Sequence, residues 1–293
     1  MKATTRFRRL LKRPGLALAP FVFDAYQAKI AQAVGFRLLY MTGFGTAAAR
    51  GYPDVGLVTQ TEMVQNAKYI AGAVDIPVLC DADTGYGNPI NVWRTVREYE
   101  GVGVAGIHIE DQVFPKKCGF FEGKQVVPLE EHVQKIRAAL DARRDKDFVI
   151  VARTDALAVN GWDDTIRRCR AYYQAGADLV FVDGIRTQED LETYARELPD
   201  IPKLYNGMLR PAKEVERMGF KVMIAGATIG VVYRAVMDAF TQLKRKGTVD
   251  IPWMSVIRDE VTGLLGLPQI YEMERRYGVS DITPAPSPTP RRR

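Results

Sequence analysis

Eight short apolar runs, each followed by a longer stretch with helical periodicity, constrain the fold of this chain more than any other feature. The runs are nearly continuous in apolar side chains, which is typical of strands buried on both faces of a parallel sheet. They are Ala17–Asp24, Arg37–Gly43, Pro77–Gly85, Ala105–Asp111, Asp147–Ala156, Asp178–Gly184, Pro202–Asn206 and Lys221–Gly226. The helical stretches between or after them include Asn91–Val102, Leu129–Ala142, Asp164–Gln174, Thr187–Glu197 and Ile229–Lys246.

Eight strand–helix units in 293 residues favour a closed barrel over an open doubly wound sheet. Glycines at the ends of helical stretches, as in Ala33–Phe36 and Ala175–Asp178, mark the change from helix to strand. No G-x-G-x-x-G turn follows the first run, as an open dinucleotide-binding sheet would require. The sequence therefore predicts an α/β fold of the (β/α)₈ TIM-barrel type.

The two ends of the domain have their own patterns. We predict a single barrel domain over residues 1–282, with extra helices from about residue 252, and a disordered tail at 283–293. The tail alternates proline with small residues and ends in three arginines, a composition that cannot build a core. Because a helical appendage on a barrel often packs on a neighbouring subunit, we expect an oligomer.

Bulk composition excludes several classes of function. The net charge is +6, but the basic excess lies at Arg6–Arg13 and Arg291–Arg293, so we expect no nucleic-acid partner. A mildly positive field suits a small anionic substrate. The three cysteines include no C-x-x-C pair, so we expect neither disulfides nor a zinc–thiolate site. This cysteine pattern favours a cytoplasmic location. No apolar run reaches the length of about 18 residues that a membrane span needs.

Six of the eight runs end in polar residues, at the end of the strands where such barrels place their active sites. Asp54 follows in the loop after the second run. These strand-end residues are Thr42–Gly43, Asp81–Gly85, His108–Gln112, Arg153–Asp155, Asp183 and Asn206.

Three acidic residues at adjacent strand ends indicate a cation site. Asp81 and Asp83 are two residues apart, so on a strand both would face the same side, and His108 and Glu110 repeat that spacing. Clustered carboxylates repel one another, and a hard cation such as Mg²⁺, with Mn²⁺ as a substitute, relieves the repulsion. The alternative is that one acid caps a helix or pairs with Arg153.

The segment after the fourth run places Cys118 beside Lys116 and Lys117. Neighbouring positive charge is expected to lower the pKa of the thiol and to fit it for proton transfer. A surface loop with an incidental cysteine is the alternative. Phe120 and Phe121 would either cover apolar parts of a substrate or pack the closed loop.

Arg153, at the end of the fifth run, can grip a carboxylate with both arms of its guanidinium. It could instead form an internal salt bridge with Asp183 or Glu110, and the two roles are compatible. His108 faces the barrel interior and is expected to be a hydrogen-bonded structural residue.

These motifs together resemble the isocitrate lyase/phosphoenolpyruvate mutase superfamily over nearly the whole chain, from Phe23 to Tyr277. The motifs that carry the resemblance are Tyr40–Gly43, Pro53–Gly56, Asp81–Gly87, Ile109–Gln112, Lys116–Gly119 and Ala152–Ala156.

The resemblance implies a Mg²⁺-dependent barrel that acts on 2-oxo or 2-hydroxy acids, as a homotetramer that exchanges C-terminal helices. It implies that Asp81 and Asp83 hold the metal, with Glu110 and Asp54 reached partly through water. Lys116 and Cys118 would take part in catalysis. The residues that it assigns to substrate binding are Thr42, Gly43, Phe44, Gly119, Arg153, Asp183 and Asn206.

Within the superfamily, the Lys116–Gly119 loop is similar to that of isocitrate, methylisocitrate and dimethylmalate lyases, and also to that of carboxyphosphonoenolpyruvate mutase. The chain departs from the lyase pattern at Phe120, where His is usual, and at Asp183, where Glu is usual. Ala225–Gly230 also replaces a polar pattern that grips a further carboxylate. These departures disfavour isocitrate and favour a smaller or more apolar substrate such as an alkylmalate.

The resulting hypothesis is a carbon–carbon lyase that cleaves a 2-hydroxy dicarboxylate by retro-aldol (Claisen-type) chemistry. Cys118 would protonate the carbanion that remains after cleavage. Lys116 or a nearby carboxylate such as Asp54 would remove the hydroxyl proton. Phosphonate chemistry, or oxaloacetate hydrolysis or decarboxylation, on the same metal site is the main alternative. A binding protein that has lost catalysis is the second.

Overall fold

The computed structural model describes residues 1–250 and 255–279. The chain divides into two compact units, of which the first spans Met1–Val236 and the second begins at Met237. In the first unit, eight parallel strands close into a barrel in chain order, with β1 pairing with β8. The predicted (β/α)₈ barrel is confirmed.

Each strand lies inside the apolar run that predicted it, and the buried strand residues explain why the runs are so continuous. The strands are β1 (Ala17–Val22), β2 (Leu39–Met41), β3 (Val78–Asp81), β4 (Gly106–Glu110), β5 (Val149–Thr154), β6 (Leu179–Val182), β7 (Lys203–Asn206) and β8 (Val222–Ala225).

Helices follow the strands and surround the barrel. The helices are α1 (Ala3–Lys12), α2 (Ala25–Val34), α3 (Gly43–Ala48), α4 (Gln60–Ala73), α5 (Pro89–Gly101), α6 (Leu129–Ala142), α7 (Leu157–Asn160), α8 (Trp162–Gln174), α9 (Gln188–Glu197), α10 (Ala212–Arg217) and α11 (Thr228–Lys246). Several begin at side-chain caps, as where Thr59 and Glu62 satisfy each other's backbone at the start of α4.

The barrel encloses a packed interior rather than a channel. Side chains from several strands, such as Leu79, Val151, Phe181 and Leu204, form one cluster inside it. A second, larger cluster joins the outer faces of the first five strands to the surrounding helices. The packing of these two clusters holds in place the strand ends that carry the polar residues.

Helix α1 lies at the N-terminal end of the barrel, where it buries Phe7 completely against the interior cluster. The Thr5 hydroxyl donates to Asp147 at 2.6 Å, and Arg8 donates to Asp178 at 2.8 Å. Asp178 immediately precedes β6, and Asp147 lies two residues before the start of β5. Much of the basic Arg6–Arg13 run therefore belongs to a helix that covers this end of the barrel.

The second unit contains a π-helical segment at Val256–Val261 and two helices, α12 (Thr262–Leu264) and α13 (Leu267–Tyr277). These segments fall in the region where extra helices were predicted. The tail predicted at 283–293 lies outside the described residues. No helix in the described part of the chain is both long and apolar enough to cross a membrane.

Candidate active site

A cavity of about 650 Å³ opens at the C-terminal ends of the strands. Most of the residues predicted for the site line it, and the rest lie close beneath it or beside it. The predicted residues that line the cavity are Thr42, Phe44, Asp54, Asp81, Cys118, Gly119, Arg153, Asp183 and Asn206. Gly43, Asp83, Glu110 and Lys116 are not among the lining residues, and all four are buried.

Asp81, the last residue of β3, is held by backbone and side-chain donors. Its Oδ2 accepts from the Gly43 amide at 3.2 Å, and its Oδ1 accepts from the Asp83 amide at 2.9 Å. The Tyr40 hydroxyl lies 3.4 Å from Oδ2. A side chain at position 43 would bring a Cβ within 2.5 Å of the same oxygen, so this contact requires glycine. The carboxylate is thus fixed in one orientation toward the cavity.

Asp83 is not on the strand, which corrects the prediction that it shares a strand face with Asp81. Strand β3 ends at Asp81, and Asp83 adopts a left-handed conformation with φ of 47° in the turn that follows. The Lys116 Nζ lies 2.8 Å from Asp83 Oδ1 and 2.6 Å from Asp54 Oδ1. Burial, with the nearby charge of Asp81 and Asp54, raises the pKa of Asp83 to about 6 although Lys116 opposes the shift.

Lys116 is buried between these carboxylates. Burial alone would lower the pKa of its ammonium group, but the surrounding acids outweigh it, and the net pKa is raised well above its usual value. The side chain is therefore charged at neutral pH. A charged ammonium cannot accept a proton, so this arrangement does not favour the hypothesis that Lys116 is the base.

Glu110 is completely buried at the end of β4. Neither of its carboxylate oxygens accepts a hydrogen bond, and among the described residues its ion pair is with Arg153, at 3.1 Å from Oε2. Burial raises its pKa well above the usual range. A buried carboxylate with so few partners is costly, which makes Glu110 a candidate to face an added cation or an ordered water.

The charges of the cluster do not balance. Six buried carboxylates lie against three buried cations, leaving three negative charges in excess when all are ionised. The carboxylates are those of Asp54, Asp81, Asp83, Glu110, Asp155 and Asp183, and the cations are Lys116, Lys124 and Arg153.

Oxygen donors in excess of cations fit a hard divalent metal. In the described residues, however, no group of three or more His, Cys, Asp and Glu side chains is placed to hold a metal ion by itself. The residues therefore fit Mg²⁺ in its usual protein geometry, with one or two carboxylates bound directly and the others reached through water.

Arg153 forms the internal salt bridges that the sequence left as an alternative, and it also lines the cavity. It donates to both oxygens of Asp155 at 2.9 and 3.1 Å. Its other arm reaches Glu110 at 3.1 Å, and Asp183 lies 3.4 Å away. These acids hold the guanidinium plane in place at the cavity floor.

Cys118 lies in the β4–α6 loop, residues 111–128, with its side chain against the cavity. Its amide donates to the Asp54 carbonyl at 2.9 Å, and the residue is 6% exposed. Burial raises the pKa of the thiol to about 11, which overturns the expectation that the adjacent lysines lower it. Lys117 does not offset this because its ammonium turns to the carbonyls of Glu122 and Gly123. The thiol is therefore neutral at physiological pH.

Phe120 is 78% exposed and lines the cavity, so it extends over the opening instead of packing a closed loop. Phe121 is also exposed. Of the two roles considered for this pair, the position of Phe120 favours contact with apolar parts of a ligand.

Gly119 and Asp183 are in close contact. A Cβ at position 119 would come within 1.9 Å of Asp183 Oδ2, so the loop can approach the end of β6 only with glycine here. The Asn206 amide lies 3.4 Å from Asp183 Oδ1. Around α3, the Gly43 amide is engaged by Asp81, whereas Thr42 and Phe44 line the cavity.

His108 is structural, as expected. Its Nε2 lies 2.9 Å from the Tyr40 hydroxyl, and burial lowers its pKa to about 4, so the ring is neutral. His132, on α6, is also fully buried, beside Tyr172.

Two residues of the site were not singled out from the sequence. Lys124 donates to Asp155 Oδ1 at 2.9 Å, and Asp155 in turn holds Arg153. Asp155 was visible as a polar strand end, but only the fold shows its two partners. No sequence signal marked Lys124, since its partner is 31 residues away.

Comparison with known proteins agrees with this geometry. The chain matches the phosphoenolpyruvate phosphomutase family over residues 7–246. It is 41% identical over 285 residues to 2,3-dimethylmalate lyase of Eubacterium barkeri, an alignment covering 94% of this chain and 99% of the relative. Oxaloacetate acetylhydrolase in complex with 3,3-difluorooxalacetate superposes with a TM-score of 0.90 at 36% identity, covering 94% and 97% of the two chains.

A second structure bears on the metal. Phosphonopyruvate hydrolase in complex with oxalate and Mg²⁺ superposes with a TM-score of 0.87 at 28% identity, covering 94% of this chain and 99% of the other. The family match, the relatives and the barrel with its acidic strand ends all lead to one assignment. The chain belongs to the phosphoenolpyruvate phosphomutase family of the isocitrate lyase/phosphoenolpyruvate mutase superfamily, as its motifs predict.

Proposed function

We propose that the protein is a Mg²⁺-dependent carbon–carbon lyase that cleaves a 2-hydroxy dicarboxylate of the alkylmalate type to a 2-oxo acid and a carboxylate. The observation that carries this proposal is the neutral thiol of Cys118, which faces a cavity whose floor is an acidic cluster. Such a thiol can donate its proton, and carbon–carbon cleavage leaves a carbanion that must accept one. The similarity to 2,3-dimethylmalate lyase supports the choice of substrate class.

In this proposal Asp81 and Asp83 hold Mg²⁺, with Glu110 and Asp54 reached through water. Three excess negative charges and the oxygens of Glu110, which accept no hydrogen bond, support the assignment. When bound, the cation supplies Lewis-acid stabilisation of negative charge that develops on substrate oxygens. Mn²⁺, which also prefers oxygen ligands, is expected to substitute.

Asp54 would accept the substrate hydroxyl proton. It lines the cavity, whereas its partner Lys116 lies below and keeps its positive charge. As that proton leaves, the hydroxyl carbon becomes a carbonyl, and the electron pair of the broken bond moves to the carbon beside the second carboxylate. The Cys118 thiol then gives its proton to that carbon. Proton transfer from Asp54 to the thiolate through solvent restores both groups.

Substrate carboxylates need cations, and most of those in the site are already paired. We infer that Arg153, held by Asp155 and Glu110, contacts the carboxylate nearest the metal. Arg186 lines the cavity and is exposed, and its guanidinium forms no ion pair with any described residue. It is therefore the candidate partner for the second carboxylate.

The remaining cavity wall selects for an apolar substituent. Phe44, Phe120, Met208 and Leu209 line it, and the end of β8 contributes small apolar residues. The Thr228 hydroxyl there donates to the Phe21 carbonyl at 3.1 Å and is not free for a ligand. A wall of this kind favours an alkyl group over the third carboxylate of isocitrate.

The test is a Mg²⁺-dependent screen of alkylmalates, methylisocitrate, oxaloacetate and phosphonopyruvate, with products identified by mass spectrometry. Release of a 2-oxo acid from an alkylmalate supports the lyase. The structural similarity to oxaloacetate acetylhydrolase favours one rival, for which oxalate and acetate would appear from oxaloacetate. Turnover of phosphonopyruvate alone would instead place the chain among the phosphonate enzymes, and binding without turnover would indicate lost catalysis.

We also propose that the protein acts as a homotetramer in the cytoplasm. Helix α11 buries none of its residues and exposes large apolar side chains, including Tyr233 and Phe240. An apolar helix face of this kind is typical of a subunit interface. Light scattering with size-exclusion chromatography tests the tetramer, and charged substitutions at both positions are expected to dissociate it.

A further inference from the structure

Lys124 is a buried cation that the proposed reaction does not use. It belongs to the β4–α6 loop, yet its side chain is 2% exposed. Its Nζ donates to the Gly119 carbonyl at 3.0 Å and to Asp155 Oδ1 at 2.9 Å, and Asp183 Oδ2 lies 3.7 Å away. One ammonium group therefore joins the residue after Cys118 to the ends of two barrel strands.

The acceptor of this ion pair is itself fixed. The Asp155 amide donates to Asp111 Oδ1 at 3.0 Å. The other oxygen of Asp111 accepts from Thr154, Tyr172 and Arg168, at 2.7, 2.8 and 3.1 Å. The end of β5 is thus held rigidly. The ion pair between Lys124 and Asp155 therefore restrains the loop that carries Lys124.

Burial makes this contact specific to the closed loop. A lysine ammonium loses hydration when buried, and the loss is offset only while its carboxylate and carbonyl partners stay in place. If the loop moved away from the barrel, Lys124 would separate from Asp155, which would keep Arg153 as a partner. The Lys124–Asp155 pair therefore stabilises the closed arrangement and not the open one.

Lys117, in the same loop, provides a contrast. Its Nζ also caps carbonyl groups, at 3.2 Å from Glu122 and 3.1 Å from Gly123, but these belong to the loop itself. Lys117 stabilises the local turn, whereas Lys124 connects the turn to the barrel.

We propose that Lys124 is a positioning residue that holds the β4–α6 loop closed and so keeps Cys118 buried against the cavity. It acts through the Gly119 carbonyl, one residue from the thiol, and does not contact the reacting atoms. Its effect on turnover rests on the proposed function, but its effect on the burial of Cys118 does not.

The experiment measures alkylation of Cys118 by iodoacetamide in the folded, full-length protein at pH 8, without metal or substrate. Mass spectrometry separates Cys118 from Cys80 and Cys169, which are fully buried and serve as internal references. The variants are Lys124→Met, which keeps the apolar stem, Lys124→Arg, which keeps the charge, and the matched control Lys117→Met. Circular dichroism establishes that each variant is folded.

We expect Lys124→Met to raise the Cys118 alkylation rate by about tenfold or more, because loop opening both exposes the thiol and returns its pKa toward normal. Lys124→Arg is expected to restore most of the protection, and Lys117→Met to stay within about threefold of the wild type. A Lys124→Met rate within about twofold of the wild type overturns the proposal. Faster labelling of Cys80 and Cys169 to the same degree also overturns it, since that pattern indicates general destabilisation.

If Lys124→Met does not fold, Lys124→Gln takes its place with the same outcomes, because it keeps a hydrogen-bond donor and removes the charge. Turnover is a second readout once a substrate is known. A positioning role predicts that Lys124→Met lowers kcat by about tenfold or more with little change in KM, and Lys124→Arg rescues it. Absence of turnover in the wild type would contradict the proposed function and leave the alkylation result standing.

Discussion

The two ends of the barrel use the same residue types in opposite ways. At the N-terminal end, Arg8 and Arg143 converge on Asp178, whose Oδ2 also accepts from the Ile150 amide at 2.9 Å. Asp178 there has two cationic partners, and all three side chains are partly exposed. At the C-terminal end, six carboxylates share three cations and are almost fully buried.

The difference shows which end is built for stability and which for chemistry. Matched pairs at the edge of a barrel cost little and restrain the helix that covers it. Buried, unmatched carboxylates are unfavourable for folding and are retained where a ligand or metal completes them. The substitutions and titrations below, in order of decreasing effect, test this contrast.

Replacing Cys118 with Ser should affect chemistry alone. A serine hydroxyl is a much weaker acid than a thiol, so we expect kcat for carbon–carbon cleavage to fall by about a thousandfold. Mg²⁺ affinity and the midpoint of thermal unfolding should stay near wild-type values, since the thiol holds neither the metal nor the strands. Cleavage assays measure kcat, and calorimetry measures Mg²⁺ affinity and the midpoint of thermal unfolding. Full activity in Cys118→Ser would remove the thiol from the mechanism.

The pH dependence of Cys118 alkylation tests whether the thiol is neutral. A pKa of about 11 instead of the usual 9 leaves about a hundredfold less thiolate at pH 8. Because only the thiolate reacts, the rate should rise with pH up to about 11, and thiol ionisation should not reduce turnover below about pH 10. A midpoint at pH 9 or lower would contradict a thiol whose pKa is raised by burial.

A pair of substitutions compares the two ends directly. Asp178→Asn should lower the free energy of unfolding by about 1–3 kcal/mol and leave turnover unchanged. Glu110→Gln should leave the stability of the metal-free protein within about 1 kcal/mol of the wild type, or raise it, because it removes one excess negative charge. It should also weaken Mg²⁺ binding. Denaturant unfolding measures the stability of each variant, and metal titration measures its Mg²⁺ affinity. Strong destabilisation by Glu110→Gln would contradict the difference between the two ends of the barrel.

Arg186→Ala should give the smallest change. If Arg186 pairs with the second substrate carboxylate, its loss should raise KM by about tenfold at nearly constant kcat, as for uniform binding energy. A half-ester of the substrate lacks that carboxylate charge. With the wild type, its KM should be higher than that of the substrate by the same factor, and with the variant its KM should not rise further. Arg196→Ala, an exposed arginine paired with Glu197 on α9, is the matched control. Equal KM values for Arg186→Ala and the wild type would remove this arginine from substrate binding.

Sequence reasoning worked best where a pattern is local and repeated. The eight strands were predictable because burial on both faces leaves continuous apolar runs, and their polar ends follow from the topology. Asp83 was placed wrongly because the strand stops at Asp81 and a left-handed turn follows. The pattern of apolar and polar residues does not show where the strand ends.

Electrostatic predictions from sequence neighbours were less successful, for a physical reason. The pKa of Cys118 is raised by burial, and Lys117, adjacent in sequence, turns away from the thiol. Lys116 was considered as a base, but its role depends on Asp54 and Asp83, which reach it only after the chain folds. Charge effects depend on distance and solvent exposure, and neither can be read from spacing along the chain.

The neutral state of Cys118 has a consequence for the lifetime of the protein. The thiolate form of cysteine attacks peroxides and disulfides, and the sulfinic and sulfonic acids formed by further oxidation are largely irreversible. A thiol that stays protonated and is 6% exposed is a poor target for such oxidants. The burial that keeps the proton on Cys118 therefore also protects the thiol from oxidation.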